Sequence, residues 1–455
     1  MRWIANLVYL FAGIAYLPIA LFNAVVVGKN RRGWGQRFGG VPQRDASKRR
    51  IWIHAVSLGE VNATPRLVEQ LAAALPDWEM VISTTTDTGY ARAVHFYGSD
   101  RVFRFPLDFS PIIHRVLNRI RPTMIVLVEL EVWYNLTRMA AGRGIPVVVV
   151  NGRLTERSAR RLGRLGPLSR SMFRSLKWVG AQDEPIAARF RLLGVPPERL
   201  DVTSSMKWDT AQVADHVDGM EALARALGLD SARPVWVCGS TGPGEEEMIL
   251  EAFRDSLRHQ GALAQDMQGA SASGERAQTP FLVIVPRKPE RFAEVAKSIE
   301  STGFGCIRRS QHPDGGLTAT ARGHVSGESH AETVILGDTM GELRKFYALA
   351  RVVFVGRSLV PMGGSDPMEV AALGKPIVVG PHTANFQQPV DALAAADTVT
   401  IVRDAGALIR EMVRLSADET GASERGRRAR QVVVDHQGAT QRTAEKLIEL
   451  AGTLS

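Results

Sequence analysis

From residue 51 onward the chain alternates short apolar runs with longer stretches whose apolar positions recur at helical spacing. Ile51–His54, Met80–Ser83, Val102–Phe105, Met124–Val128 and Pro146–Val150 read as strands, and Leu67–Ala74, Gly89–Phe96 and Ile112–Arg119 as the helices between them. Continuous apolar runs bounded by polar loops are the pattern of parallel strands covered on both faces. The alternation predicts right-handed βαβ crossovers in a doubly wound sheet. A second series follows: Trp236–Gly239, Phe281–Val285, Val334–Gly337, Val352–Val355 and Pro376–Val379, with helices such as Glu245–Arg258 and Pro289–Ser298. Residues 202–234 read as a linker, and 260–279 and 313–331 as low-complexity surface loops. Residues 437–451 form a helix with no sheet of its own to complete, expected to pack back on the first domain. The expected fold class is α/β, with two Rossmann-like domains facing a cleft and ligands at the carboxyl ends of the strands.

Ahead of this pattern lies a different one. Trp3 to Val27 contains no charged residue. A helix of that length spans roughly 37 Å, enough for a hydrocarbon core of ~30 Å. Pro18 would kink it, and Trp3, Tyr9 and Tyr16 suit interfacial depth. A signal peptide is the rival reading, but its apolar region is normally shorter and no small-x-small site precedes Lys29, Arg31 and Arg32. That basic cluster directly after the apolar run places residues 28–455 on the cytoplasmic side of an uncleaved membrane-anchor helix.

Charge narrows the choice of partners. The net charge is +9, concentrated in residues 29–50 and 151–177, each with eight Lys or Arg against one acid. The remainder is net negative, and no zinc finger, helix-turn-helix or basic-aromatic ribbon accompanies the two patches. Nucleic acid is therefore not an expected partner, whereas an acidic membrane surface or substrate is. Cys238 and Cys306 are the only cysteines. They can build neither a disulfide framework nor a Cys-rich metal site, which suits a reducing compartment.

The strand-end loops carry the candidate chemistry. His54-Ala55-Val56-Ser57-Leu58-Gly59-Glu60 follows the first strand, with Gly59 permitting close backbone approach and Glu60 standing where a helix begins. Glu60 reads either as a carboxylate able to take a proton from a sugar hydroxyl or as an acid complementing the helix dipole. Glu129-Leu130-Glu131-Val132-Trp133 ends the strand Met124–Val128, and alternation sends Glu129 and Glu131 to one side. Buried together they would perturb each other's pKa; as a helix-start pair in water they would not. Asn151 to Ser158 opens the second basic stretch, where arginines interleave with apolar residues to suit anionic headgroups, substrate phosphates or a solvated face.

In the second series, Gly239 to Glu247 lacks the Lys-Ser/Thr of a phosphate-binding loop and carries acids that repel phosphate, so it reads as a structural helix entry. Pro286-Arg287-Lys288-Pro289-Glu290-Arg291 offers two arginines and a lysine beside a helix start, which suits a nucleotide phosphate. Asp338 or Thr339 is a natural N-cap. Gly356 to Glu369 is a glycine-rich loop whose Glu369 can accept from ribose hydroxyls, and Gly380 to Phe386 is one more strand-end loop. Together these loops predict a cleft.

In this order, HAVSLGE (54–60), ELEVWYN (129–135), NGRLTERS (151–158), MKWD (206–209), GSTGPGEE (239–246), PRKPERF (286–292), GDTMGEL (337–343) and GPHTANF (380–386) resemble the Kdo (3-deoxy-D-manno-octulosonic acid) transferase family. The resemblance covers nearly the whole chain, apolar anchor included. It implies a GT-B, inverting, metal-independent glycosyltransferase that moves Kdo from CMP-Kdo to the glucosamine disaccharide of an anionic lipid A precursor. The setting implied is the cytoplasmic face of the bacterial inner membrane, with no cofactor beyond the CMP-Kdo donor substrate. The implied division is an anchor at 1–28, an acceptor-binding domain at 29–205, a CMP-sugar-binding domain at 206–435 and a returning helix at 436–455.

Residue by residue, Glu60 matches the family's general base, and Glu129 and Lys207 match positions assigned to transition-state stabilisation. Pro286, Arg287, Met340, Gly341, Glu342, Asp366, Pro367, Met368 and Glu369 match the CMP-contacting segments. The chain departs from the family where Gly-Gly-Ser-Leu reads Gly356-Arg357-Ser358-Leu359, where Gly-Gly-His-Asn reads Gly363-Gly364-Ser365-Asp366, and where Pro-Arg-His-Pro reads Pro286-Arg287-Lys288-Pro289. These changes cluster on the donor side. A GT-B transferase with another nucleotide-sugar donor, or a membrane scaffold with a decayed donor site, are the alternatives they leave.

Overall fold

The computed structural model describes residues 6–7, 9–11, 33–230, 233–266, 279–313 and 333–454. The expected anchor at 1–28 and the low-complexity stretches at 260–279 and 313–331 lie largely outside these residues. Among the described residues no helix is long and apolar enough to cross a membrane. The chain divides into two compact α/β units, one running to Thr210 and resuming at His436, the other Ala211–Asp435. Lys207 therefore sits with the first unit.

The first unit holds β1 (Arg49–His54), β2 (Trp78–Thr84), β3 (Val102–Arg104), β4 (Met124–Val128), β5 (Val147–Gly152), β6 (Trp178–Ala181) and β7 (Leu200–Val202). They form one sheet in the order β3-β2-β1-β4-β5-β6-β7, parallel throughout. Both faces are covered. Trp52, Leu127 and Val149 point to the side packed by the helices Ser110–Ile120, Tyr134–Ala141, Pro167–Arg174 and Glu184–Leu193. Ile51, Ile53, Val126 and Val148 point to the other, covered by Pro65–Ala74, Asp87–Tyr97 and the C-terminal Ala439–Gly452. Double coverage is what makes these strands uniformly apolar.

The second unit holds β8 (Val235–Thr241), β9 (Phe281–Pro286), β10 (Gly305–Arg308), β11 (Thr333–Leu336), β12 (Val352–Val355), β13 (Ile377–Val379) and β14 (Val399–Ile401). Their order is β10-β11-β9-β8-β12-β13-β14, again parallel. Strands β6, β7, β10 and β14 were not expected from the pattern. β7, β10 and β14 are short sheet edges or near-edges with exposed positions, and β6 contains Gly180. None builds a recognisable apolar run.

Two contacts tie the ends of the chain to the first unit. Asn6 donates to Ser110 Oγ (2.6 Å) and accepts from Ser110 N–H (3.1 Å) and Asn135 Nδ2 (2.9 Å). Beside it the Tyr9 ring packs edge-on against Phe109 and Trp133. At the other end, the helix Ala439–Gly452 has Gly438 as its cap, a residue with no side chain to satisfy the first N–H groups. Asp209 supplies the missing acceptor, taking the N–H of Gly438 (2.7 Å) and of Thr440 (2.6 Å). Replacing it, Asp209→Ala, should strand both donors and lower stability by about 1–3 kcal/mol, read as a shift of the urea midpoint with unchanged slope.

Candidate active site

In an open parallel sheet, ligands bind beyond the carboxyl ends of the strands where the winding direction reverses. The first sheet reverses between β1 and β4, so the loops after His54 and Val128 flank its switch point. Ser57 caps the helix Leu58–Asn62, accepting from Glu60 N–H (3.4 Å). The Glu60 side chain folds back to accept from Val56 N–H (2.8 Å) and from Ser57 Oγ–H (2.8 Å). Capping and candidate chemistry thus fall on one residue.

Glu60 is only 8% exposed. Burial lifts its pKa to about 7 against the pull of those two hydrogen bonds, and the neighbouring charges of Glu129 and Glu131 add to the rise. Burial likewise pushes Glu131 up, with Glu129 contributing, while the Trp133 indole N–H (3.1 Å) works the other way. Lys207 Nζ meets Glu129 Oε1 at 3.1 Å. Three carboxylates and one ammonium therefore share this edge of the sheet. A carboxylate poised near neutral pH can accept a proton from a hydroxyl at physiological pH.

Burial also pushes the Asp108 carboxyl up to about 7. Its two oxygens, however, are taken by the N–H groups of Asn135 and Leu136 (both 2.8 Å) at the start of the helix Tyr134–Ala141, so it works as a helix cap.

The backbone is bent to build this edge. Glu129 has φ 63 and Asn151 φ 51, left-handed values that cost a side-chain-bearing residue about 1–3 kcal/mol. Glu129 N–H still pairs with Val150 O (3.0 Å) as the chain leaves β4. Asn151 Oδ1 accepts from Met206 N–H (3.0 Å), fixing the segment that carries Lys207. The sequence had marked Asn151 only as the start of a motif; its left-handed turn has no apolar-pattern signature.

The second sheet reverses between β8 and β12, and there a carboxylate is enclosed by backbone. Glu245 is fully buried. Its Oε1 accepts from Ser358 N–H (2.8 Å) and Leu359 N–H (2.9 Å), and its Oε2 from Gly242 N–H (2.9 Å) and Arg357 N–H. Ser358 Oγ in turn accepts from Gly380 N–H (2.8 Å). Glu245 therefore ties two strand-end loops together, and Ser358 joins a third to them. Arg357, where the resembling family usually has glycine, stands at φ 59 with its N–H in that cradle. Beside it, a Cβ on Gly239 would lie 2.4 Å from the Tyr347 ring, so only glycine lets that buried tyrosine pass.

The remaining candidates divide by what already holds them. Pro286 is buried at the end of β9 and Arg287 is exposed just beyond it. Arg291, expected beside a phosphate, is instead enclosed by Glu246 (2.7 and 3.3 Å) and Glu294 (2.8 Å); helix packing consumes it. Met340 is 70% exposed and Gly341 has φ 84. Burial opposes ionisation of Glu342, but Arg309, Thr339 and Lys345 hold its carboxyl at about 2. Asp366 Oδ1 accepts from Met368 N–H (2.8 Å) at the entry to the helix Met368–Ala372. Pro367 and Met368 are buried, whereas Glu369 is exposed, with Arg344 and Arg287 near enough to act on its charge. Among the described residues no three His, Cys, Asp or Glu side chains group as a metal site.

Comparison with known proteins agrees with this architecture. The family model for 3-deoxy-D-manno-octulosonic-acid transferase (kdotransferase) matches residues 32–210. A 3-deoxy-D-manno-octulosonic acid transferase of Haemophilus influenzae is 34% identical over 400 residues, 87% of this chain and 86% of the relative. One of Bordetella pertussis is 32% identical over 411 residues, covering 88% and 87%. A crystal structure of a glycosyltransferase from Rickettsia africae shares the fold with a TM-score of 0.53 at 10% identity, covering 89% of this chain and 98% of that one. The family model and these relatives, at 32–34% identity over most of the chain, make the protein a glycosyltransferase. The chain belongs to the Kdo transferase family.

Glu245→Gln should lower stability by about 1–3 kcal/mol, because an amide presents one acceptor atom where four N–H groups converge and leaves buried donors unmatched. Denaturant unfolding measures the loss, and limited proteolysis at residues 356–364 should show the loop released.

Proposed function

We propose that this transferase moves Kdo from CMP-Kdo to a hydroxyl of an anionic lipid A precursor, with inversion, at the cytoplasmic face of the bacterial inner membrane. The observation that carries the reading is Glu60: a carboxylate at the β1/β4 switch point, nearly buried and pushed to about 7. In the proposed mechanism its ionised form takes the acceptor hydroxyl proton as the oxygen attacks the sugar, in one displacement from the face opposite the leaving CMP. Lys207, oriented by Glu129, offsets negative charge on the departing phosphate, and the Glu129 carboxylate steadies positive charge on the sugar. No metal or cofactor enters the scheme. On the donor side we assign the nucleotide to Pro286, Arg287, Met340, Gly341, Glu342, Asp366, Pro367, Met368 and Glu369. The apolar segment before residue 28 would hold the enzyme at the membrane beside its lipid acceptor, with residues 29–205 serving the acceptor and 206–435 the CMP-sugar.

Purified enzyme given CMP-Kdo and the tetra-acylated precursor should release CMP and add one or more Kdo masses to the glycolipid by mass spectrometry. A glycolipid mass gain with a UDP-sugar, and none with CMP-Kdo, would move the donor assignment. No turnover with either, and no thermal shift on adding CMP, would favour the scaffold reading.

Glu60→Gln should lower kcat by roughly 10²–10⁴-fold with little change in CMP affinity; near-normal turnover would remove Glu60 as base. In the wild type the base must be ionised, so kcat/KM should rise with pH and level off above about 7. Stability runs the other way. Because the folded carboxyl holds its proton up to about 7 and the unfolded one only to 4.5, the fold binds more protons across that window and loses stability as pH rises through it. Glu60→Gln should therefore exceed the wild type in stability at pH 8 by on the order of 2–3 kcal/mol, and the gap should close below pH 4.5.

A further inference from the structure

The helix Tyr134–Ala141 of the first unit lies between Ser110–Ile120 and Pro167–Arg174. Two adjoining cavities, of about 530 and 410 Å³, open along it and share Arg138 and Ser171. Arg138 and Arg143 line the first together with His114, Arg138, Arg170 and Arg174 line the second, and among the described residues no carboxylate lines either. His114 Nδ1 accepts from Arg143 (3.0 Å), so the ring aims a guanidinium and adds no carboxylate. Arg138 and Arg174 fall in the last turns of their helices, where a cation offsets the dipole. That accounts for either one alone. It does not account for two guanidiniums lining one cavity and three the adjoining one, with Arg138 common to both, an arrangement that repels itself until an anion joins it.

We propose that this groove binds the phosphate monoester of a lipid headgroup. Guanidinium groups meet phosphate oxygens through paired N–H donors, and several can share one dianion. The position selects the lipid. Asn6 and Tyr9, from the apolar N-terminal segment, dock at the starts of two of the helices that form the groove. On the chain's next helix, Glu156–Gly163, no residue is buried, and it presents Arg157, Arg160 and Arg161. The groove thus lies on the sheet face against which Tyr9 packs, with further cations close in sequence. The proposal goes beyond the reaction assigned above and does not depend on the identity of the sugar donor.

The test uses the full-length protein in neutral detergent, titrated calorimetrically with short-chain phosphatidate, short-chain phosphatidylcholine and inorganic phosphate. Phosphatidate should bind saturably, and the double variant Arg138→Gln/Arg170→Gln should weaken it by roughly tenfold or more, with CMP binding unchanged. Arg174→Gln alone should produce a smaller loss in the same direction, and it serves if the double variant does not fold. Equal affinity for phosphatidylcholine, or undiminished phosphatidate binding in the variants, would overturn the site. Inorganic phosphate binding as tightly as phosphatidate would overturn the lipid assignment.

Discussion

A carboxylate can be buried at the end of a parallel strand only if donors converge on it. The two sheets meet this constraint at their switch points in different ways. Around Glu245, four backbone N–H groups complete the coordination, and the side chain becomes the fixed point about which the loops after β8 and β12 are arranged. Around Glu60, one backbone N–H and one hydroxyl serve the carboxylate, and two other acids stand nearby. The first carboxylate is a fastener. The second keeps a proton affinity close to neutrality.

The same logic governs the strained backbone. Glu129, Asn151, Ser204, Ser240 and Arg357 all have positive φ without being glycine, and all stand at or just past the carboxyl end of a strand. At each point the chain must turn sharply while the sheet is still hydrogen-bonded. Glu129 is held by β5, Asn151 binds Met206, and the Arg357 N–H is captured by Glu245. Local strain at these ends is sustained by packed sheets beneath them, the usual price of presenting polar groups from a rigid frame. It also means that Arg357 reaches the conformation a glycine would adopt without disturbing the cradle.

Much of the architecture was legible because double coverage writes continuous apolar runs into the sequence. Met124–Val128 and Val352–Val355 are found where the pattern put them. Edge strands such as Leu200–Val202 were not visible, since one exposed flank removes the run. The candidate site was legible more unevenly. A lone Glu60 after a glycine permits either capping or chemistry, and the structure has it do the first while leaving it suited to the second. The pairing of Glu129 with Lys207 joins residues 78 positions apart, which no periodicity reveals; only the resemblance brought them together. Arg291 shows the reverse failure, because its partners Glu246 and Glu294 arrive from the start of a different helix and from the next turn. The Glu245 cradle was missed for the same reason: its donors are main-chain N–H groups, which carry no sequence signature.

The bond from Asp209 to Gly438 and Thr440 has a topological consequence. It clasps the chain where it leaves the first unit to the chain where it comes back, beside the bonds of Ser204 to His436 O and of Arg442 to Thr203 O, so the two ends of the segment Ala211–Asp435 are fastened together. A segment whose two ends are clasped in this manner leaves its host's fold continuous, because the host's own last helix is fastened across the seam.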